Sequence, residues 1–193
     1  LRTVTGVQTC ALPIYRTANF LLFSFTIPTT WFQAFNPFMI FLFTPFVLAL
    51  WKWQAATDRE PSTVAKMAHG CFYNAAAHLI LVAAALYAGG GKASWLWLTA
   101  YFVVLTIGEL YLSPTALSLV SKVAPAHCLS MMMGVWLATS FYGSFLAGYL
   151  GSLWSGMDKA RFFLMLAVIA ALSGLAVLAF IKPLERLLKE GTA

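Results

Sequence analysis

Glu109 is the single charged side chain inside five long apolar runs of this chain. Placing a carboxylate at the middle of a membrane helix costs about 2.5–3.5 kcal/mol on insertion scales, so such residues usually face a polar cavity and serve transport or proton relay. Ser113 lies four residues further on and shares a helix face with it. Pro114 follows at once. It brings no N–H, which frees the carbonyl of Leu110 and favours a kink. Carboxylate, hydroxyl and freed carbonyl together form a polar patch at membrane depth. The competing reading is a Glu satisfied by a neighbouring helix purely for assembly.

Other residues are open to two readings. Asn36, before Pro37, lies near the outer end of the first apolar run. An Asn there suits an N-cap, since its side chain can accept from free helix N–H groups; a ligand role is the alternative. Pro45 predicts a bend in the same run. Trp136 lies deep in its run, away from the interfaces where Trp collects, and fits a packing role or a cavity wall equally. Gly143, Ala147 and Gly151, with Ser144, Gly148 and Ser152, recur every fourth residue and predict close helix packing without chemistry. Met131, Met132 and Met133 read as lipid-facing or core. His69 and His78 are about 180° apart on a helix, and His69 and Cys71 about 200°, so neither pair shares a metal through one face. No HExxH, Gly-x-Ser-x-Gly or glycine-rich phosphate loop occurs. We therefore expect no metal and no catalysis.

The elements that carry these residues follow from composition. Of 193 residues, 61% are hydrophobic and 9% charged, against roughly 25% charged in soluble domains. An all-α integral membrane protein is the class that fits. The net charge of +6 is spread in ones, twos and threes between apolar runs, the membrane-topology pattern rather than a nucleic-acid patch. Three cysteines offer no disulfide framework. Crossing the hydrocarbon takes about 20 helical residues, and the runs predict five transmembrane helices at 35–53, 67–88, 95–120, 129–154 and 162–181. Glu109 falls in the third. Gly89, Gly90 and Gly91 predict a tight turn after the second. The stretch NFLLFSFTIP, residues 19–28, is too short to cross and reads as an apolar loop or interfacial segment. Residues 4–14, VTGVQTCALPI, look like the translation of a DNA-sequencing library adaptor. We expect residues 1–14 to be extraneous to the gene and to pack against nothing.

Charge sets the expected orientation. Lys52, Arg59, Lys66, Lys122, Lys182, Arg186 and Lys189 lie on one side, seven in all; Arg16, Lys92, Lys159 and Arg161, four in all, lie on the other. The first set is expected to be cytoplasmic, with the C-terminus.

Three segments carry a family likeness. IPTTWFQAFNPFMIFLFTPFVLALW, GELYLSPTALSLVSKVAP and MMMGVWLATSFYGSFLAGYLG occur in that order. Together they resemble the eighth, tenth and eleventh helices of the proton-dependent oligopeptide transporter (POT) family, a branch of the major facilitator superfamily. Ala34, Ala116 and Ser144 depart from the residues usual there. The resemblance implies an outer loop remnant at 15–34, helices eight to twelve over 35–189 and a tail at 190–193. It places Glu109 near a peptide's amino group with Asn36 beside it, and Ser113 and Trp136 in the cavity wall, with Glu109 also coupling protons. It implies import of di- and tripeptides across the cytoplasmic membrane, with no cofactor beyond the proton as coupling ion. The partners it implies are a small peptide, the lipid bilayer and an N-terminal half of the same transporter, and no nucleic acid. The alternatives are a transporter of the same family for nitrate or a peptide-like compound, and a membrane assembly subunit that uses Glu109 to pair with a partner helix.

Overall fold

A computed structural model describes residues 14–15, 17–20, 23–26, 29–57, 61–89, 93–124 and 126–180. Five helices dominate it: α1 (Thr29–Ala56), α2 (Thr63–Ala88), α3 (Trp95–Val123), α4 (Leu129–Ser152) and α5 (Lys159–Ala179). Short 3-10 turns, Ala126–Cys128 and Leu153–Gly156, flank α4. All five helices are long and apolar enough to cross a membrane. In hydrocarbon no water can satisfy backbone N–H and C=O groups, so such segments close their hydrogen bonds internally as helices.

Capping residues set several boundaries. Ser62 accepts from the Ala65 N–H and starts α2 at Thr63, four residues before the expected 67. Gly89 adopts the left-handed conformation (φ 49°) and its N–H returns to the Leu86 carbonyl, which ends α2 where the glycine run predicts. Ser94 accepts from Leu96 N–H at the start of α3. α1 begins at Thr29, six residues before 35, and runs on through Pro37 and Pro45. Asn36 is therefore interior to the helix, and the N-cap reading fails. Its side chain is engaged elsewhere, as described below.

The N-terminal stretch departs from expectation twice. Within the stretch read as an apolar loop or interfacial segment, and just before it, β2 (Thr17–Phe20) pairs antiparallel with β3 (Phe23–Thr26), Thr17 opposite Thr26, a hairpin that the sequence reading did not include. The backbone groups of a segment too short to cross are satisfied by each other. Residues 1–13 lie outside the described residues. Ile14, in β1 (Ile14–Tyr15), pairs in parallel with Ala93 of β4 (Ala93–Ser94), so residues 1–14 do not all pack against nothing. Ladder bonds use backbone groups alone, and any extended chain can make them whatever its side chains.

α2 is the hub, packed along α3 on one side and α5 on the other. Glycines permit both crossings. A Cβ on Gly70 would sit 2.9 Å from the Gly108 carbonyl oxygen, and one on Gly108 would sit 3.0 Å from that of Gly70. One on Gly174 of α5 would meet Cys71 and the Phe72 ring at 3.2 Å. Above these contacts Leu81, Leu98, Tyr101, Phe102 and Phe163 form the buried core, and Trp154 closes edge-on against Phe162. α1 leans on α3, while α4 touches the bundle sparingly and has no buried residue. Its small-residue stripe is not a packing seam among the described residues: nothing lies within 4 Å of a Cβ built on Gly143, Gly148 or Gly151. Regular spacing shows that a face permits close approach; it does not supply the partner. Met131 is exposed, and Met132 and Met133 are half-buried.

Candidate functional site

α1, α3 and α4 line a half-open cavity of about 600 Å³. α1 contributes Ile40, Thr44, Val47, Leu48 and Trp51; α3 contributes Glu109, Leu110, Ser113, Pro114 and Leu117; α4 contributes Trp136 and Ser140. These positions repeat at intervals of three and four, one stripe per helix. The wall is mainly apolar, with the polar groups on Glu109, Ser113, Thr44 and Ser140.

Glu109 is half-buried and held from the side. The Asn36 amide donates from Nδ2 to Glu109 Oε2 at 3.0 Å, and the fully buried Thr106 hydroxyl donates to Asn36 Oδ1 at 3.0 Å. The hydroxyl fixes which end of the amide faces the carboxylate. Thr106 stands one turn before Glu109 on α3, so α3 holds its own acid through a residue of α1. Glu109 Oε1 has no hydrogen-bond donor among the described residues. The position of Glu109 along α2 is set by its neighbour, since Gly108 is the residue that touches Gly70.

The proline that follows is accommodated. α3 runs through Pro114 without interruption, and the Thr115 hydroxyl donates to the carbonyls of Tyr111 and, at 3.1 Å, Leu112. Thr44 makes the same kind of bond to the Ile40 carbonyl beside Pro45. In each case a hydroxyl supplies a donor near the gap that proline leaves, and in each case the proline segment borders the cavity.

Of the residues singled out by sequence, Glu109, Ser113 and Trp136 stand together on the cavity wall, and Asn36 stands beside Glu109 without forming part of the wall. Sequence reasoning missed Thr106, although its spacing of three from Glu109 put it on the acid's face. It missed Trp51 and Lys66 as well. Lys66, counted as a loop charge, lies in the first turn of α2, 7% exposed, with Nζ 4.5 Å from the centroid of the Trp51 ring.

Several membrane-length helices arranged around a cavity with one acid in its wall define an α-helical integral membrane protein with a polar site among its helices. The sequence pattern of the POT family matches residues 14–169, and the chain belongs to that family. It is 32% identical over 167 residues to a di-/tripeptide transporter of Lactococcus lactis subsp. cremoris, covering 86% of this chain and 33% of the relative. It is 35% identical over 136 residues to the peptide transporter YePEPT of Yersinia enterocolitica subsp. palearctica, covering 68% of this chain and 26% of that protein. A crystal structure of a POT family transporter in complex with 5-aminolevulinic acid superposes with a TM-score of 0.82 at 26% identity, over 94% of this chain and 37% of the other. The fold is thus part of the major facilitator superfamily fold of the POT transporters, and the chain spans about a third of the length of the relatives it matches.

Proposed function

We propose that this chain is the C-terminal part of a proton-coupled importer of di- and tripeptides. The observation that carries the reading is the Glu109 carboxylate on the cavity wall, one oxygen held by Asn36 and the other left for a ligand. An ionised Glu109 attracts a substrate ammonium group, and a proton that reaches Glu109 once the substrate has crossed displaces that group; both then leave on the same side, which links proton entry to substrate entry. Asn36 and Thr106 orient the acid, Ser113 offers a hydroxyl one turn away, and Trp136 and the aliphatic wall take apolar side chains. The peptide transporters among its relatives support the substrate class. No catalytic step is needed, and no cofactor beyond the proton.

The complete protein works in this reading by rocking an N-terminal half against this one around a midplane site. It lies in the cytoplasmic membrane as a multi-pass protein with its C-terminus inside, which the excess of Lys and Arg on that side supports. Residues 1–14 are extraneous to the gene in the same proposal, and resequencing of the source DNA that returns these codons in one continuous reading frame overturns that part.

Reconstitution of the complete transporter in liposomes tests the whole. Uptake of labelled dialanine should follow an inward proton gradient and collapse with a protonophore. Uptake that ignores the gradient, or no uptake of any di- or tripeptide, refutes the reading.

A further inference from the structure

Among its described residues α1 buries a single side chain, Val47. The helix therefore takes its place from a few contacts rather than from a packed face. At its outer end two consecutive residues meet α3. The Phe35 ring packs against the buried core and stands 6.3 Å from the ring of Phe102, which is fully buried. The Asn36 amide bonds both Glu109 and Thr106. Phe102, Thr106 and Glu109 follow one another at spacings of four and three, so they share one face of α3. The core under Phe35 is drawn from three helices: Phe102 belongs to α3, Leu81 to α2 and Phe163 to α5. Pro37 comes next in α1. It brings no N–H, so the carbonyl of Gln33 loses its helical partner and the helix bends more easily at this turn. Contacts made on the spot, rather than the rest of the helix, then set where Asn36 stands.

We propose that Phe35 is a positioning residue for the acid: its ring, seated on Phe102, fixes where the Asn36 amide meets Glu109. The inference rests on the peptide reading above. A hydrogen bond weakens with both distance and misalignment, so a small slide of α1 along α3 spoils the hold on the carboxylate. The Phe35 ring opposes that slide because it is large and lies against a close-packed core that yields little. With the ring removed, the outer end of α1 settles into the space it leaves. The amide then leaves its line to Glu109, and the oxygen that meets the substrate ammonium is less firmly aimed.

The test uses the complete transporter in liposomes and reads, by competition, the ratio of its affinities for Ala-Ala and N-acetyl-Ala-Ala. A residue that acts only on folding changes the amount of active protein and leaves this ratio alone. Asn36→Ala removes the bond and should lower the ratio by about tenfold, the scale of a hydrogen bond to a charged group. Phe35→Ala keeps the amide but not its placement, and should lower the ratio by about fivefold. Added to Asn36→Ala, it should lower the ratio no further, because the group it positions is gone. Phe102→Leu removes the same ring contact from the side of α3 and should move the ratio in the same direction; it decides the matter if Phe35→Ala does not fold. An unchanged ratio in folded Phe35→Ala, an equal loss for both ligands, or a further drop on the Asn36→Ala background each overturns the proposal, as does an unchanged ratio in Phe102→Leu where that variant has to decide. Wild-type protein that binds the two ligands equally overturns the peptide reading with its Glu109 contact, and this inference with it.

Discussion

Gly70 and Gly108 meet backbone to backbone where α2 crosses α3, so close that a Cβ on either would sit 2.9–3.0 Å from the other's carbonyl oxygen. Gly108 immediately precedes Glu109, so this crossing fixes how the acid is presented to the cavity. Alanine at either position forces the helices apart, because the obstructing atom is backbone and cannot rotate away. Gly70→Ala and Gly108→Ala should each destabilise by about 1–3 kcal/mol, the range for overpacking. Gly174→Ala should cost less, since its contacts with the Cys71 Cβ and the Phe72 ring lie at 3.2 Å and need a shift of only a few tenths of an ångström. Thermal unfolding in detergent, compared across the three variants, checks the order.

The Thr106–Asn36–Glu109 chain predicts an effect on binding from a residue outside the cavity wall. Thr106→Val keeps the shape and removes the donor, leaving Asn36 Oδ1 without its partner at a cost of about 1–3 kcal/mol. The amide is then held only by its own bond to Glu109, and the carboxylate it positions is less firmly fixed. Peptide KM should rise in Thr106→Val and stay near wild type in Thr106→Ser, which retains the hydroxyl. Equal KM values for the three proteins would show that Thr106 does not orient the site.

Much of this was legible in the sequence, and the rest was hidden for physical reasons. Five apolar runs gave five helices because the bilayer leaves little choice of conformation. Glu109, Ser113 and Trp136 stood out because a polar or interfacial residue deep in an apolar run is costly or out of place. Helix starts were less visible. Thr29 to Ala34 mixes polar and apolar residues, so the apolar run at Phe35 looked like the start of α1, and Asn36 looked like its cap. The glycine contacts were invisible for a different reason. Gly143, Ala147 and Gly151 repeat, whereas Gly70, Gly108 and Gly174 act singly, and which glycine meets a neighbour depends on how whole helices cross. Lys66 was misplaced because a basic residue next to a loop is usually solvated; only the location of Trp51 shows that its stem and charge are covered.

Orientation is checked by labelling at the connection between α1 and α2. Thr57 is exposed at the end of α1, beside the segment that carries Arg59. With the loop on the cytoplasmic side, Thr57→Cys in a background lacking the native cysteines should resist a membrane-impermeant thiol reagent in intact cells. It should react once the membrane is permeabilised. Ready labelling from outside reverses the topology, and with it the direction in which the Trp51 end of the cavity opens.

Glu109→Gln tests the site at its centre. Glutamine keeps the size of the side chain and, through its carbonyl, can still accept from Asn36, so the variant should insert and fold; a neutral amide is also cheaper in the membrane than an ion. What it lacks is the negative charge and the second carboxylate oxygen, the one that has no donor among the described residues. Losing a charge-assisted hydrogen bond of about 1.5–3 kcal/mol should weaken binding of a free-amine dipeptide by about tenfold or more. An N-acetylated dipeptide, which has no ammonium group to pair, should lose much less. The ratio of the two affinities, measured by competition in the complete transporter, isolates the charge from any general change in the cavity. Equal affinity of wild type and folded Glu109→Gln for the free-amine dipeptide would remove Glu109 from substrate binding and leave it the assembly role that its sequence position also allows.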